Sequence, residues 1–378
     1  MNNIIIKEVK GGREFDDFIN LPYEIYNKNP YWVAPIKKDY IKAIKGEGNE
    51  LSFCPHKLFI AYRDDKPVAR LIVFIDKELN ETHNLKAGYI CEFESYNDDE
   101  ASKLLFLEAE KYLKEEGMNL CKGPVSLPGG DDKRGVIIDN FDDIPTIMNT
   151  YNLSYYKDLF TKAGFEKYHD VYAFRSTKDL LLTRMVKIGE LLPKIQERYG
   201  YRVDTADIKK NIQREMDDVY KIIEEAMPKD WEDFKRVSKR EIEQIIVAAK
   251  PFLDEDLVAI ARTNEGRPIG FALSLPDYNE ILHGFKGKLG PKEMFTFMRK
   301  KNKLKRIRMF VLFVVPDFHK KGVSAAIYHT VFMNGVKKGY EVLEGSTIWD
   351  YNQPMLNDIN KVGAEKSITY RVYKKDLL

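Results

Sequence analysis

The stretch VVPDFHKKGVSAAIYH, residues 314–329, leaves an apolar run through Pro316-Asp317, crosses a basic corner with a lone Gly322, and enters a helical pattern. Residues 311–315 are apolar throughout, as in a strand covered on both faces. Pro316 removes a ladder donor and directs the chain out of the sheet. The helix expected after Gly322 starts with unpaired N–H groups and the positive end of its dipole, which accept an anion before any side chain is counted. Lys320 and Lys321 add charge, Gly322 lets an anion approach the backbone, and Ser324 offers a hydroxyl. A pyrophosphate suits such a corner. A solvated connector is the plain alternative.

Working outward, the chain repeats itself. LFIAYRDDKPVARLIVFID near residue 60 and LVAIARTNEGRPIGFALSLPD near residue 260 both read as β-hairpins, and Lys66-Pro67 and Arg267-Pro268 lie 201 positions apart. Tyr151-Asn152 and Tyr351-Asn352 are 200 apart, and Gly164 and Gly363 are 199 apart. In each of these later segments Asn is expected to open a helix and Gly to end it, before a β-branched or aromatic run. Two copies of one α/β unit follow, about 1–178 and 179–378. Each is expected to run strand, helices, hairpin, long strand (Ala87–Ser95; 308–315), helix, strand, helix, strand. The long-strand, corner, helix connection demands parallel neighbours across a crossover.

The bulk composition agrees. At 378 residues, 44% hydrophobic and 32% charged, the chain fits a two-domain globular protein. No apolar run approaches the length of a membrane span, so no membrane partner is expected. The start, MNNIIIKEVKGG, reads as a first strand and not as a signal peptide. Cys54, Cys91 and Cys121 show no CxxC spacing and read as reduced thiols of a cytoplasmic protein. The six His show no metal spacing, so no metal site is expected. A formal charge of +2 gives no general case for nucleic acid.

The corner resembles the acyl-CoA loop of the GNAT (Gcn5-related N-acetyltransferase) superfamily, whose pattern is roughly Val-x-Pro-x-x-Gln/Arg-x-x-Gly-x-Gly/Ala, or the same with the first two adjacent. Val315, Pro316, Lys321, Gly322 and Val323 match it. His319 stands where Gln or Arg is usual, Lys320 where Gly is common, and Ser324 where Gly or Ala is usual. Asn352 to Gly363, then Ala364 and TYRVY, resemble the later motif that flanks the pantetheine arm. FINLPYEIYNKNPYWVAPI, GPVSLP and PTIMNTYNLSYYKDLFTKAGF are similar to segments of bacterial tandem-GNAT proteins.

The resemblance implies an α/β (α+β) fold of two tandem GNAT-like domains, each a mixed, mostly antiparallel twisted sheet flanked by helices. It implies acetyl-CoA or another acyl-CoA as cofactor, held by Val314, Val315, His319, Lys320, Lys321, Gly322, Val323, Ser324 and Asn352. The implied reaction is direct attack of a small-molecule or peptide amine on the thioester in a ternary complex, with a backbone N–H near Val314 or Val315 polarising the carbonyl. The thiolate acid of many such enzymes is a Tyr four residues before the helix-ending Gly; here those positions are Ile359 and Phe160.

The two halves differ where it matters. The matching corner of the first half, Glu94-Ser95-Tyr96-Asn97-Asp98-Asp99-Glu100, has no Gly and no base. Its acids suit a helix start and repel a pyrophosphate by about 1–4 kcal/mol each at surface-like dielectrics. Residues 1–178 thus read as a degenerate domain without a CoA loop, and 179–378 as the domain that binds acyl-CoA.

Glu344 and Asp350 are candidate bases, while Asp277 and Glu280 follow the hairpin and could face an acceptor. Glu92 and Glu94 alternate along a strand, so period-two geometry puts both carboxylates on one face, ready for a cationic amine. The loop GPVSLPGGDDKRG, residues 123–135, has the composition of a binding-site loop. RKKNKLKRIR, residues 299–308, holds seven basic residues without interleaved aromatics, which argues against single-stranded nucleic acid as a partner. That run supports a second reading, aminoacyl transfer from a charged tRNA. The missing Tyr and the unusual His319 support a third, a non-catalytic CoA sensor.

Overall fold

The computed structural model describes residues 3–130, 132–236 and 238–377. The first run of elements is β1 (Ile4–Glu8), α1 (Gly12–Ile25), α2 (Lys37–Ile44), β2 (His56–Arg63), β3 (Lys66–Phe74), α3 (Lys77–His83), β4 (Ala87–Ser95), α4 (Asp99–Glu115), β5 (Leu120–Gly123), β6 (Val136–Ile137), α5 (Tyr156–Lys162) and β7 (Glu166–Thr177). The second is α6 (Lys178–Tyr199), β8 (Tyr201–Thr205), α7 (Ile208–Ala226), α8 (Lys239–Ala249), β9 (Val258–Thr263), β10 (Pro268–Pro276), α9 (Asn279–Leu282), α10 (Pro291–Lys300), β11 (Arg306–Val314), α11 (Val323–Lys337), β12 (Val342–Trp349), α12 (Gln353–Val362) and β13 (Glu365–Asp376).

Both hairpins form. Asp64 and Asp65 sit at φ 47° and 62°, the pair of positive values that a tight two-residue turn needs. β4 runs parallel to β5, and β11 runs parallel to β12, as the crossovers demand. The pairs β1–β2, β2–β3, β3–β4, β5–β13, β6–β13, β8–β9, β9–β10 and β10–β11 are antiparallel.

Two compact units are built from interrupted segments. The first holds the chain through Tyr172, Asn279–Arg299 and the end of the chain from Ile368; the second holds Ala173–Tyr278 and Lys300–Ser367. In the first unit the strand order is β1-β2-β3-β4-β5-β13, and Tyr373 to Asp376 pair with Gly123 to Leu120. In the second the order is β12-β11-β10-β9-β8, with β7 beside β12. The closing strand of each repeat therefore begins in one unit and ends in the other. The cut expected at 178/179 falls between the first two residues of α6.

In the first unit, α4 lays Ala101, Leu105, Ala109 and Leu113 on the sheet, all fully buried. A Cβ at Gly88 of β4 would overlap the Leu113 side chain. Phe93, Phe106 and Phe160 close this side with ring centroids 4.8 to 5.1 Å apart. In the second unit, Arg262 of β9 is buried against α7, where Glu215 and Asp218 accept its guanidinium hydrogen bonds at 2.5 and 2.8 Å.

Within the first unit, the segment Asn279–Arg299 is held at Gly287. Its carbonyl accepts from Lys37 N–H at 2.9 Å, its φ is +78°, and a Cβ would lie 2.7 Å from Tyr23 Cε1 and 2.9 Å from the Pro35 oxygen. Gly287→Ala is expected to destabilise the protein by about 1–3 kcal/mol, read as a lower urea midpoint with an unchanged m-value.

Candidate functional site

β11 and β12 pair only from Arg306↔Val342 to Met309↔Gly345. Beyond that β11 runs on to Val314 and β12 to Trp349, so the two strands diverge. β11 keeps its other neighbour, pairing with β10 as far as Gly270↔Val314. Residues 307–309 are buried, but 310–314 are only half-buried, because one edge of the strand has lost its partner. Val315 N–H donates to the Ile269 carbonyl at 2.9 Å. In an antiparallel ladder consecutive N–H groups point to opposite edges, so the Val314 N–H faces the divergence.

At the end of β11 the chain turns through Lys320 at φ 60° and Gly322 at φ 78°. Gly322 is the N-cap of α11, and no side chain caps that helix. The first intrahelical bond is Ala326 N–H to the Gly322 carbonyl, so the amides from Gly322 to Ala325 point ahead of the helix as its first-turn donors. Gly322 suits the corner by its left-handed φ; a Cβ there would lie 2.9 Å from Ile195 Cγ2 of α6, the movable end of a side chain. The corner is thus an open positive terminus beside a strand divergence.

The side chains expected here separate into two groups. Lys320 is exposed, and Lys321 lies with its ammonium 4.5 Å over the Phe318 ring while its carbonyl accepts from the Tyr201 hydroxyl. The others are committed elsewhere. The Ser324 hydroxyl donates to Asp358 Oδ2 at 2.8 Å, which brings a carboxylate to the corner. The His319 Nε2 lies 2.9 Å from the Val314 carbonyl, so the ring folds back on the strand end. Asn352 caps α12, accepting from Met355 N–H at 3.2 Å. The Val323 side chain is buried, which leaves only its backbone at the corner.

Of the candidate acids, Glu344 is fully buried on β12, where Arg175 donates to Oε2 at 2.9 Å and the Ser346 hydroxyl to Oε1 at 2.8 Å. Asp277 is fully buried against Arg306 at 2.7 Å. Asp350 follows β12 directly, flanked by Trp349 and Tyr351. Those two rings stack with centroids 5.3 Å apart, and Trp231 and Phe234 close on them at 5.8 and 6.0 Å. This aromatic group was not legible in the sequence, since Trp231 and Trp349 stand far apart in the chain. Among the described residues no group of His, Cys, Asp or Glu is arranged to hold a metal ion.

The first unit has the same divergence and closes it. β4 and β5 pair only from Ala87↔Leu120 to Tyr89↔Lys122. The N–H of Ser95, the last residue of β4, donates to the Tyr156 hydroxyl at 3.1 Å, and the Ser95 carbonyl accepts from Tyr155 at 2.8 Å. Asp98 caps α4, accepting from Ala101 N–H at 3.0 Å. Arg63 binds the same carboxylate at 2.8 Å and, as the largest influence, holds it below the usual range.

Glu92 and Glu94 do not line an open strand face. A bulge opposite Arg70 and Ile72 breaks the alternation, and Glu92 sits at φ 50°. Glu92 accepts from Tyr40 at 2.5 Å, Lys133 at 3.0 Å and Arg70 at 3.3 Å; Glu94 accepts from Tyr26 and Tyr156, both at 2.7 Å. The basic run 299–308 is likewise divided. Arg306 pairs with Asp277, Lys305 with Glu341, and Arg308 is buried with its guanidinium on the Ser346 carbonyl at 3.0 Å.

No protein-family model matches the chain. Over 98% of its length and 96% of the relative's, it is 26% identical to a Caulobacter vibrioides protein named bacterial ceramide synthase. It is 22% identical to protein YghO of Escherichia coli, over 95% of this chain and 92% of that one. Among solved structures, a tandem GNAT protein from the clavulanic acid biosynthesis pathway matches 100% of this chain and 99% of its own at a TM-score of 0.57 and 8% identity. A GCN5-related glucosamine N-acetyltransferase region of a fungal multi-domain β-N-acetylglucosaminidase matches 99% of this chain at a TM-score of 0.58 and 15% identity; this chain spans 38% of that longer protein. The chain therefore has the tandem GNAT fold, the fold of the GCN5-related N-acetyltransferases.

Proposed function

We propose that the protein is an acyl-CoA-dependent N-acyltransferase whose donor binds the second unit. The observation that carries this reading is the uncapped, left-handed Gly322 corner at the end of a strand whose Val314 amide faces an unpaired edge. The helix terminus takes the pyrophosphate. The Val314 N–H lies where a thioester carbonyl would develop negative charge, the position that preorganised donors stabilise. The amine nitrogen attacks the carbonyl carbon, the C–S bond breaks, and the CoA thiolate leaves and takes up a proton.

A ceramide is the N-acyl amide of a long-chain amino alcohol, so the name of the 26% identical relative favours an amine on an apolar chain over a peptide. The aromatic group of Trp231, Phe234, Trp349 and Tyr351 suits such a chain. Asp350, flanked by two of these rings, is assigned as the base that receives the amine proton.

The test is release of free CoA thiol from acyl-CoAs of short and long chain, with a panel of amines that includes long-chain amino alcohols, and mass spectrometry of the amide. Amine-dependent thiol release supports the reading. CoA binding without acyl transfer to any amine would replace it with the sensor. Glu344→Gln is expected to leave kcat within about threefold, since a lost general base costs far more, and to lower stability by about 1–3 kcal/mol by weakening the Arg175 pair.

A further inference from the structure

We propose that α10 and the turn before it form a docking surface for an anionic lipid bilayer. Among the described residues no helix is long and apolar enough to cross a membrane, so the contact is peripheral. Leu289 is 47% exposed, Met294 46%, Phe295 69% and Met298 55%. Positions 294, 295 and 298 share one helix face. None of the side chains of α10 is buried, and the opposite face, Glu293, Thr296 and Phe297, is half-buried. An amphipathic helix on a globular surface ordinarily turns its apolar stripe inward; this one turns it to solvent.

Charge indicates the partner. Lys286, Lys288, Lys292 and Arg299 are all exposed on α10 and the turn before it. The one acid within α10, Glu293, accepts from Gly290 N–H at 2.9 Å and is turned back on the helix start. Apolar side chains ringed by Lys and Arg match a headgroup layer of negative potential with acyl chains beneath. The helix has a firm base. Phe285 is buried, Gly287 is seated against Tyr23 and Pro35, and Asn279 donates to the Pro145 carbonyl at 2.8 Å. The proposal rests on these side chains and is independent of the reaction assigned to the second unit.

The test is flotation of the full chain with vesicles of phosphatidylcholine alone or mixed with an equal amount of phosphatidylglycerol. The expected result is flotation with the mixed vesicles, weakened by salt. Phe295→Ser combined with Met298→Ser is expected to lower the partition coefficient at least about tenfold with an unchanged thermal melt, because both side chains leave water only in the bound state. Neutralising Lys286, Lys288, Lys292 and Arg299 to Gln is expected to remove most of the salt dependence. Failure of the parent protein to float with anionic vesicles overturns the proposal, as does flotation indifferent to the double substitution. Salt-sensitive retention by RNA, unaltered by that substitution and without flotation, overturns it in favour of a nucleic acid.

Discussion

Gly322→Asp is expected to weaken CoA binding at least about a hundredfold while the protein stays folded. Asp tolerates the left-handed φ of 78° better than most residues with a side chain. The atom its Cβ would crowd, Ile195 Cγ2, is the end of a side chain and can move. The new carboxylate sits at the mouth of the α11 terminus, where it neutralises the free amides and faces a diphosphate. Two like charges 4 Å apart cost about 4 kcal/mol at an effective dielectric of about 20, and a hundredfold corresponds to only about 2.7 kcal/mol. Gly322→Asn, alike in shape but uncharged, is expected to lose about tenfold or less. The reciprocal change, Asp98→Gly, removes a helix cap and the Arg63 pair, so it is expected to cost about 1–2 kcal/mol of stability and to leave CoA affinity unaltered. Calorimetric titration with CoA reads all three. Parent-like affinity in Gly322→Asp, or lost affinity in Asp98→Gly, would remove the donor site from the second unit.

What the sequence made legible was local. The hairpins, the parallel crossovers, β4 from Ala87 to Ser95, and the Asn352 and Gly363 ends of α12 each depend on residues within a few positions of one another. Asn152 shows the limit. Its match to Asn352 predicts a helix start, yet α5 begins at Tyr156, and the buried Asn152 amide instead serves the N–H and carbonyl of Ile137 at 2.6 and 3.2 Å. Buried backbone on a two-residue strand must find partners, and no pattern near Asn152 announces that demand. The pairing of Tyr373 with Gly123 is equally silent, because strand propensity names a strand and not its neighbour. At the corner, the backbone features were readable from Pro316 and Gly322. The side-chain commitments were not: the Ser324 bond to Asp358 and the return of His319 to Val314 depend on how separate elements close.

Glu92→Ala is expected to cost about 3–5 kcal/mol, because it leaves Arg70 fully buried without its ion-pair partner. Arg70 donates to the Phe18 carbonyl and to Tyr40 as well, but neither neutralises it. The double variant Arg70→Met, Glu92→Ala removes both charges and is expected to recover most of the loss, so the cycle closed by the single Arg70→Met yields a coupling well above that of a surface pair. The pH dependence follows from the same groups. Burial alone would raise the Glu92 pKa; the charges of Lys133 and Arg70, with hydrogen bonds from Tyr40 and Lys133, outweigh it and hold the group below its ordinary 4.5. A depressed carboxyl stabilises the fold above its unfolded pKa, and that contribution is lost as pH falls through the folded value. Glu94 has the opposite sign. Burial, opposed by Arg70 and the hydroxyls of Tyr156 and Tyr26, raises its pKa above 4.5, so its contribution is present in acid and lost as pH rises through the folded value. The urea midpoint is therefore expected to fall with acidification below about pH 4.5, and Glu92→Gln is expected to flatten that limb while Glu94→Gln leaves it in place. A Glu92→Ala variant within about 1 kcal/mol of the parent would mean that water reaches Arg70, and that the first unit is not closed over its strand divergence as Tyr155 and Tyr156 indicate.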